Sequence, residues 1–127
     1  MSAPWVVVRS RNDIAFIRDT LEAVRHQTQP CRILGIDNGS TDGTLEVIRE
    51  YADTLAQIPS GDYVPGRVLN RAMEMTDGEL VVFVNSDATP QGADWLANLL
   101  RPMEDDTVAA VYGRQIARPD AWPLFAH

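Results

Sequence analysis

Short apolar runs alternate along the chain with segments in which apolar residues recur every three or four positions. Runs such as residues 5–8 and 80–84 have the length of strands that are covered on both faces. The spacing of Ile17, Leu21 and Val24 is that of an amphipathic helix. The whole pattern predicts strands at 5–8, 33–36, 57–59, 80–84 and 108–112, and helices whose apolar positions span 14–24, 45–55, 68–75 and 95–100.

This alternation is typical of an α/β protein, in which right-handed crossovers connect the strands of a mainly parallel sheet flanked by helices. The expected helix boundaries are an N-cap at Asn12, an opening at 40–43, a stop at 77–78 and an end at Pro102. Pro59 restricts the third strand to an edge or an end of the sheet. Met73 is expected on the inner face of the third helix.

The net charge and the lack of lysine exclude several classes of function. The chain has 127 residues and a formal charge of −7, and all 11 of its cationic side chains are arginines. The lack of lysine excludes P-loop nucleotide hydrolases and Schiff-base enzymes, which need an amine. Because an acidic chain is a poor partner for nucleic acid, an anionic ligand would have to be held by helix N-termini, a metal ion or arginines.

Length and segment composition predict one domain that covers residues 1–127. No apolar run approaches the ~20 residues of a transmembrane helix, and the first residues lack the pattern of a signal peptide. We therefore expect a cytoplasmic protein, either free or peripherally associated with the inner face of the membrane. The tail after Gly113 lacks core periodicity, so we expect this chain to be the front portion of a longer protein.

Polar residues follow three of the predicted strands, at the point where each strand ends. The first cluster is residues 9–12, the second is residues 37–43, and the third is residues 85–87. The carboxyl ends of parallel strands meet at one edge of a sheet, and ligands of open α/β sheets bind at that edge. The three clusters are therefore predicted to form one site.

Asp37 comes directly after the apolar residues of the second predicted strand. There its carboxylate can accept a hydrogen bond from an N–H of a planar base, while the N–H groups that follow leave room for an anion. The alternative is a capped turn in which Asp42 complements the dipole of the next helix.

Asp87 closely follows the buried fourth strand. A carboxylate there is suited to Mg²⁺ or Mn²⁺, with phosphates and waters as the other ligands. The alternative is that Asp87 caps the helix that contains Trp95, a role that Asp94 or Thr89 can also fill.

The third helix opens with Gly66, where backbone N–H groups can approach a phosphate closely. Arg67 and Arg71 on this helix can pair with such a phosphate. Solvated arginines on an ordinary helix are an equally good interpretation.

The stretches that carry these residues resemble those of family 2 glycosyltransferases, which have the GT-A fold. They are VVVRSRND, IDNGSTDGT, PGRVLN, ELVVFVNSDATP and AAVYGRQIARPDAWPL, and they are most similar to the rhamnosyltransferase-type branch. The resemblance implies a nucleotide-binding set that consists of Ser10, Arg11, Asn12, Asp37, Asn38, Gly66, Arg67, Asn70 and Ser86. It implies that Asp37 contacts the base, that Asp87 and Asn85 bind the metal, and, more weakly, that Gln115 lies near the donor sugar.

Two departures from the family pattern affect this expectation. The usual Asp-x-Asp metal motif is Asn85-Ser86-Asp87 here, so that a neutral carbonyl oxygen replaces one carboxylate and metal affinity should be lower. The family's catalytic base lies in a segment beyond this chain, so that no catalytic residue is assigned.

The resemblance implies an inverting, metal-assisted glycosyltransferase that moves a sugar from a nucleotide-diphospho-sugar to a polysaccharide or lipid-linked acceptor. The first alternative is a catalytically incomplete domain that binds the nucleotide-sugar or has a regulatory role. The second alternative, a dinucleotide-dependent oxidoreductase, is disfavoured because no G-x-G-x-x-G follows the first strand.

Overall fold

A computed structural model describes residues 3–59, 65–76 and 80–104 of the chain. It contains the strands β1 (Trp5–Ser10), β2 (Arg32–Asp37), β3 (Thr54–Gln57) and β4 (Val81–Asn85). These strands form one sheet in the order β3-β2-β1-β4, and every pair is parallel. The predicted α/β class with a mainly parallel sheet is confirmed.

Helices cover both faces of the sheet. They are α1 (Ile17–Arg25), α2 (Thr44–Tyr51), α3 (Pro65–Met75) and α4 (Trp95–Leu100), with a 3₁₀ turn at Arg101–Glu104. Alternate residues of β1 point to opposite faces. Val6 and Val8 belong to the core that includes buried residues of α1, α2 and α4, whereas Trp5 and Val7 pack in a second core with Val68 and Ala72 of α3.

The first helix begins later than predicted, at Ile17, with Phe16 in the N-cap position. Asn12 is therefore not its cap. Asn12 has a φ of 51°, in the left-handed region that asparagine tolerates. Its side-chain oxygen instead accepts a hydrogen bond from the N–H of Thr41 (2.8 Å), so that the residue connects two loops. Ile14 precedes the helix and is 45% exposed.

The region after the second helix was predicted wrongly. α2 ends at Tyr51, and residues 54–57, which include Leu55, form β3 instead of a last helical turn. β3 pairs with β2 from Leu34↔Thr54 to Asp37↔Gln57. Asp53 directly precedes β3, and its carboxylate accepts a hydrogen bond from the N–H of Ile33 on β2 (2.8 Å), which holds the start of β3 against β2. The predicted strand at 57–59 is therefore shifted towards the N-terminus, and Pro59 lies beyond its end.

Two further expectations concern the inner face of α3 and the end of α4. Met73 is 43% exposed and does not belong to the inner face of α3. α4 ends at Leu100, close to Pro102 as predicted, although the 3₁₀ turn continues through that proline.

The predicted strand at 108–112, the stop at 77–78 and Gln115 lie outside the described residues. No helix in the described part of the chain is long and apolar enough to cross a bilayer.

Candidate functional site

The strand order brings the three polar clusters to one edge. β1 lies between β2 and β4, with Ser10 opposite Asp37 and Arg9 opposite Asn85. The ends of β2 and β4 are therefore two strand spacings apart, which is roughly 10 Å. A nucleotide-sugar diphosphate can span that distance, and the predicted convergence of the clusters on a common edge is confirmed.

Asp37 is the centre of the second cluster, and its side chain is buried at 2% exposure. One carboxylate oxygen accepts from the N–H of Ser40 (3.0 Å), and the other accepts from the hydroxyls of Ser40 (2.5 Å) and Ser10 (3.3 Å). A carboxylate has about four acceptor positions, so it retains capacity for one more donor at its edge. Asp37 thus shapes the turn, and a ligand would have to reach it along its remaining acceptor direction.

Asn38 is also buried, and it connects this turn to the chain after β3. With its amide nitrogen turned towards two backbone carbonyls, Asn38 donates to the oxygens of Ile58 (3.3 Å) and Pro59 (3.2 Å). The N–H of Ile58 in turn donates to the carbonyl of Asp37 (2.8 Å). These bonds hold residues 57–59 against the end of β2.

Residues 57–59 form one wall of an open cavity of about 460 Å³. Its opposite wall is α3, which contributes Arg67, Val68 and Arg71. Arg67 and Arg71 are exposed and lie one helical turn apart, so both guanidinium groups can reach a ligand in the cavity. Gly66 lies in the first turn of α3, and Asn70 is exposed on the same helix but does not line this cavity.

The first cluster contacts the second through backbone groups. The N–H of Asn12 donates to the hydroxyl of Ser40 (2.9 Å), and the N–H of Asp13 donates to the hydroxyl of Thr44 (3.0 Å). Arg11 is exposed between these contacts and forms no ion pair with any described residue. Its guanidinium is therefore available to a ligand at the edge of the sheet.

Asp42 organises the entry to α2 from the position before the N-cap residue, which is Gly43. One of its oxygens accepts from both the hydroxyl (2.6 Å) and the N–H (3.1 Å) of Thr44, and the other accepts from the N–H of Ile14 (3.2 Å). The hydrogen bond from the Thr44 hydroxyl is the main reason why the pKa of Asp42 lies below its ordinary value of 3.8.

Ser86 connects the third cluster to the first, and it is 1% exposed. Its N–H donates to the carbonyl of Arg9 (2.9 Å), and its hydroxyl donates to the carboxylate of Asp13. Its carbonyl accepts from the buried hydroxyl of Thr20 on α1 (2.7 Å). The sequence analysis did not single out Asp13 or Thr20; a threonine at a buried helical position was the available signal for Thr20.

Asn85 and Asp87 are both exposed beside Ser86. The Nη2 of Arg9 donates to the side-chain oxygen of Asn85 (2.9 Å), and this contact competes with metal binding at the same oxygen. Within the described ranges, no three His, Cys, Asp or Glu side chains lie close enough together to hold a metal ion. Asp94, rather than Asp87, occupies the N-cap position of α4, so the capping alternative does not account for Asp87.

Curated relatives of the chain include two O-antigen chain rhamnosyltransferases. It is 33% identical over 112 residues to the O-antigen chain rhamnosyltransferase RfbN of Salmonella typhimurium, an alignment that covers 86% of this chain and 36% of the relative. It is 34% identical over 107 residues to the O-antigen chain rhamnosyltransferase WbaN of Salmonella anatum, with 83% of this chain and 34% of the relative covered. The chain thus spans about a third of the length of these relatives.

Solved structures with the same fold include enzymes captured with nucleotides. The mannosyltransferase PcManGT from Pyrobaculum calidifontis, in complex with GDP-Man and Mn²⁺, matches with a TM-score of 0.71 and 28% identity over 83% of this chain and 33% of that one. Residues 1–349 of TarS from S. aureus, in complex with UDP, match with a TM-score of 0.65 and 25% identity over 92% of this chain and 38% of that one. These similarities identify the sheet and its helices as a GT-A fold.

A family model described as "Glycosyl transferase family 2" matches residues 5–127. That match includes all the described strands and all three polar clusters. The chain belongs to glycosyl transferase family 2.

Proposed function

We propose that this chain is the donor-binding domain, over residues 1–127, of an inverting glycosyltransferase. The enzyme would transfer a sugar from a nucleotide-diphospho-sugar to a polysaccharide or lipid-linked acceptor at the cytoplasmic face of the membrane. One observation carries the proposal: the ends of β2, β1 and β4 bring Asp37, Ser10 and Asn85 to one edge of the sheet, the edge at which open α/β sheets bind ligands. The rhamnosyltransferase relatives favour a deoxyhexose as the sugar.

The nucleoside would lie along the second cluster. Asp37 would accept from the base, and Asn38 would maintain the wall at 57–59 that encloses it. Arg11 and Asn12, both exposed beside the turn, would line the ribose side. The buried carboxylate of Asp37, which three hydrogen bonds hold in place, favours a planar base edge rather than a flexible solvated group as its partner.

The diphosphate would lie between the third cluster and the start of α3. Arg67 and the first-turn N–H groups at Gly66 would stabilise negative charge as the acceptor hydroxyl displaces the diphosphate from the anomeric carbon. Ser86 would hold the loop in place through its contacts with Asp13 and Thr20. A Mg²⁺ or Mn²⁺ ion bound by Asp87 would add positive charge at the leaving group.

Calorimetry tests this proposal with UDP, dTDP and GDP, each with and without Mn²⁺. We expect one of the three to bind, and Asp37→Asn to weaken that binding at least about tenfold, because the amide cannot accept on both sides. Asp94→Asn is the control: it makes the same change at the start of α4, where Asp94 accepts from the hydroxyl of Thr28 (2.6 Å). If none of the nucleotides binds at millimolar concentration, or if both variants bind alike, the proposal is wrong.

The alternative of a catalytically incomplete domain has one supporting observation. The described residues provide one carboxylate, Asp87, where the family motif has two, and no acid cluster compensates for the loss. Donor turnover separates the two proposals. Sugar transfer or donor hydrolysis that depends on Asp37 would exclude the incomplete domain, whereas tight nucleotide binding without any turnover by the complete protein would support it.

A further inference from the structure

We propose that Asn85 binds the diphosphate of the donor as a hydrogen-bond donor, and that Arg9 positions its amide for this purpose. Position 85 would then act on the anion directly and would not be a ligand of the metal ion. This inference rests on the proposed function and assigns the chemistry of one part of that site.

The geometry orients the amide of Asn85. Arg9 and Asn85 are register partners on neighbouring parallel strands, so their side chains leave the sheet on the same face. The guanidinium nitrogen lies 2.9 Å from Oδ1 of Asn85, which is a charge-assisted hydrogen bond. Because Oδ1 faces the arginine, the Nδ2 group points away from it, and Asn85 is exposed, so that two N–H donors face the edge of the sheet.

The same contact disfavours a metal ion at Asn85. A divalent ion binds a carbonyl oxygen at about 2.0–2.6 Å. With Arg9 already at 2.9 Å from that oxygen, the ion and the guanidinium would lie within roughly 5 Å of each other and repel. A neutral amide beside a fixed cation is instead suited to an anion.

A purely structural role does not account for the pair. The end of β4 is already attached to β1 by the bond from the N–H of Ser86 to the carbonyl of Arg9 (2.9 Å). The buried contact between Ser86 and Thr20 fixes the same turn from the other face. An exposed amide adds little to this anchoring, but it adds a donor directly beside the expected position of the diphosphate.

Two arginines lie on the same side of the sheet as the amide of Asn85. Arg9 leaves β1 on the side where Val68 and Ala72 of α3 pack, as the shared core with Val7 shows. α3 begins near the end of β3, since the cavity has walls from residues 57–59 and from Arg67. Arg9, the amide of Asn85 and Arg67 therefore lie on one side of the sheet, opposite to the side that holds Asp37 and Ser10.

The test measures binding of inorganic pyrophosphate and of UDP, dTDP and GDP in EDTA, and binding of Mn²⁺ alone by electron paramagnetic resonance. We expect Asn85→Asp to weaken metal-free binding of pyrophosphate and of the preferred nucleotide about tenfold or more, because it replaces two donors by a negative charge. Mn²⁺ affinity should stay within about twofold, because the new carboxylate pairs with Arg9. The double variant Arg9→Met/Asn85→Asp should bind Mn²⁺ clearly more tightly than Asn85→Asp.

A second Arg–Asn pair provides matched controls. Arg101 donates to the side-chain oxygen of Asn98 (3.1 Å) at the end of α4, and both residues are exposed. Asn98→Asp and Arg101→Met should leave all these affinities unchanged. Arg9→Met alone should weaken metal-free binding, because the amide loses its positioning partner. Arg9→Lys, which retains the charge, should keep most of that binding, and urea unfolding verifies that each variant is folded.

Two results would overturn the inference while leaving the proposed function intact. One is a rise in Mn²⁺ affinity in Asn85→Asp with Arg9 present, which would identify Asn85 as a metal-ligand position. The other is nucleotide binding by the wild-type chain that Asn85→Asp does not change. Failure of the wild-type chain to bind any of the three nucleotides would overturn both proposals together.

Discussion

Gly35 lies in the middle of β2, directly beneath α2, and the substitution Gly35→Ala tests how closely these elements pack. A Cβ atom added at Gly35 would lie 2.2 Å from the Cγ2 atom of Ile48, whereas its distance to the Cβ of Ala52 would be an ordinary 3.5 Å. Carbon atoms in contact are normally about 3.5–4.0 Å apart. The methyl group of Ile48 would therefore have to move by about 1.3 Å or more.

Ile48 has little freedom to make that movement. It is fully buried, and a β-branched side chain in a helix has one strongly preferred rotamer. Relief would require α2 to move away from the sheet, and overpacking of this kind costs about 1–3 kcal/mol. The lower chain entropy of alanine in the unfolded state offsets about 0.4–1 kcal/mol. Because the contact is so short, we take the overpacking cost at the upper end of its range, about 3 kcal/mol. After the entropic offset, we expect a net loss of about 2 kcal/mol in the free energy of unfolding.

Urea unfolding followed by circular dichroism measures this loss, and a double-mutant cycle identifies its cause. Ile48→Ala alone should cost about 2–5 kcal/mol because it leaves a cavity. In that background the clashing Cγ2 atom is absent and Gly35→Ala should be neutral or stabilising, which gives a coupling energy of about 2 kcal/mol. Gly92→Ala is the control: Gly92 has a φ of +83° and no atom within 4 Å of the new methyl, so that only backbone strain of about 1 kcal/mol applies. Additivity of the two substitutions within about 0.5 kcal/mol would refute the reasoning.

Two further predictions concern the loops of the candidate site. Thr20→Val should lower the free energy of unfolding by about 1–2 kcal/mol in urea titrations, because the buried carbonyl of Ser86 loses its donor at 2.7 Å. Thr20→Ser keeps the hydroxyl and should largely retain stability. Equal losses in the two variants would contradict the role of the hydroxyl. Thr44→Val should raise the pKa of Asp42 towards 3.8, because it removes the hydrogen bond that lowers it, and NMR titration of the carboxyl carbon measures this. Because folding lowers the pKa of Asp42, its carboxylate contributes to stability above about pH 4, and this contribution is lost as the pH falls through the folded pKa. Thr44→Val should make this pH-dependent loss of stability smaller.

The sequence predicts the alternation of strands and helices well. The prediction fails where residues fit helical spacing but pair with a neighbouring strand. Leu55 fits the helical spacing that starts at Leu45, yet it lies in β3. The choice depends on the pairing of residues 54–57 with β2, a non-local interaction that helical spacing within 45–55 does not contain. The late start of α1 has a similar cause, because Asn12 is engaged by Thr41, which lies 29 residues further along the chain.

For the candidate site, the sequence predicts which edge of the sheet is used but not which polar side chains face outwards. The edge follows from the direction of parallel strands. Exposure depends on the tertiary contacts of each side chain: Asp37 and Ser86 are almost completely buried, whereas Asn85 is exposed. The contact between Arg9 and Asn85 joins residues 76 positions apart, so it becomes visible only once the register of β1 and β4 is known.

The central position of β1 explains how one strand end can serve two kinds of recognition. Arg9 and Ser10 are consecutive, so their side chains leave opposite faces of the sheet. Ser10 donates to Asp37 on the face of α1 and α2, where the loops bury the carboxylate, while Arg9 donates to the exposed Asn85 on the face of α3. A one-residue insertion or deletion within the strand end would exchange these two side chains between the faces and place a guanidinium in the buried turn. The division of the site into a buried acceptor side and an open cationic side therefore depends on the register of β1 with both of its neighbours.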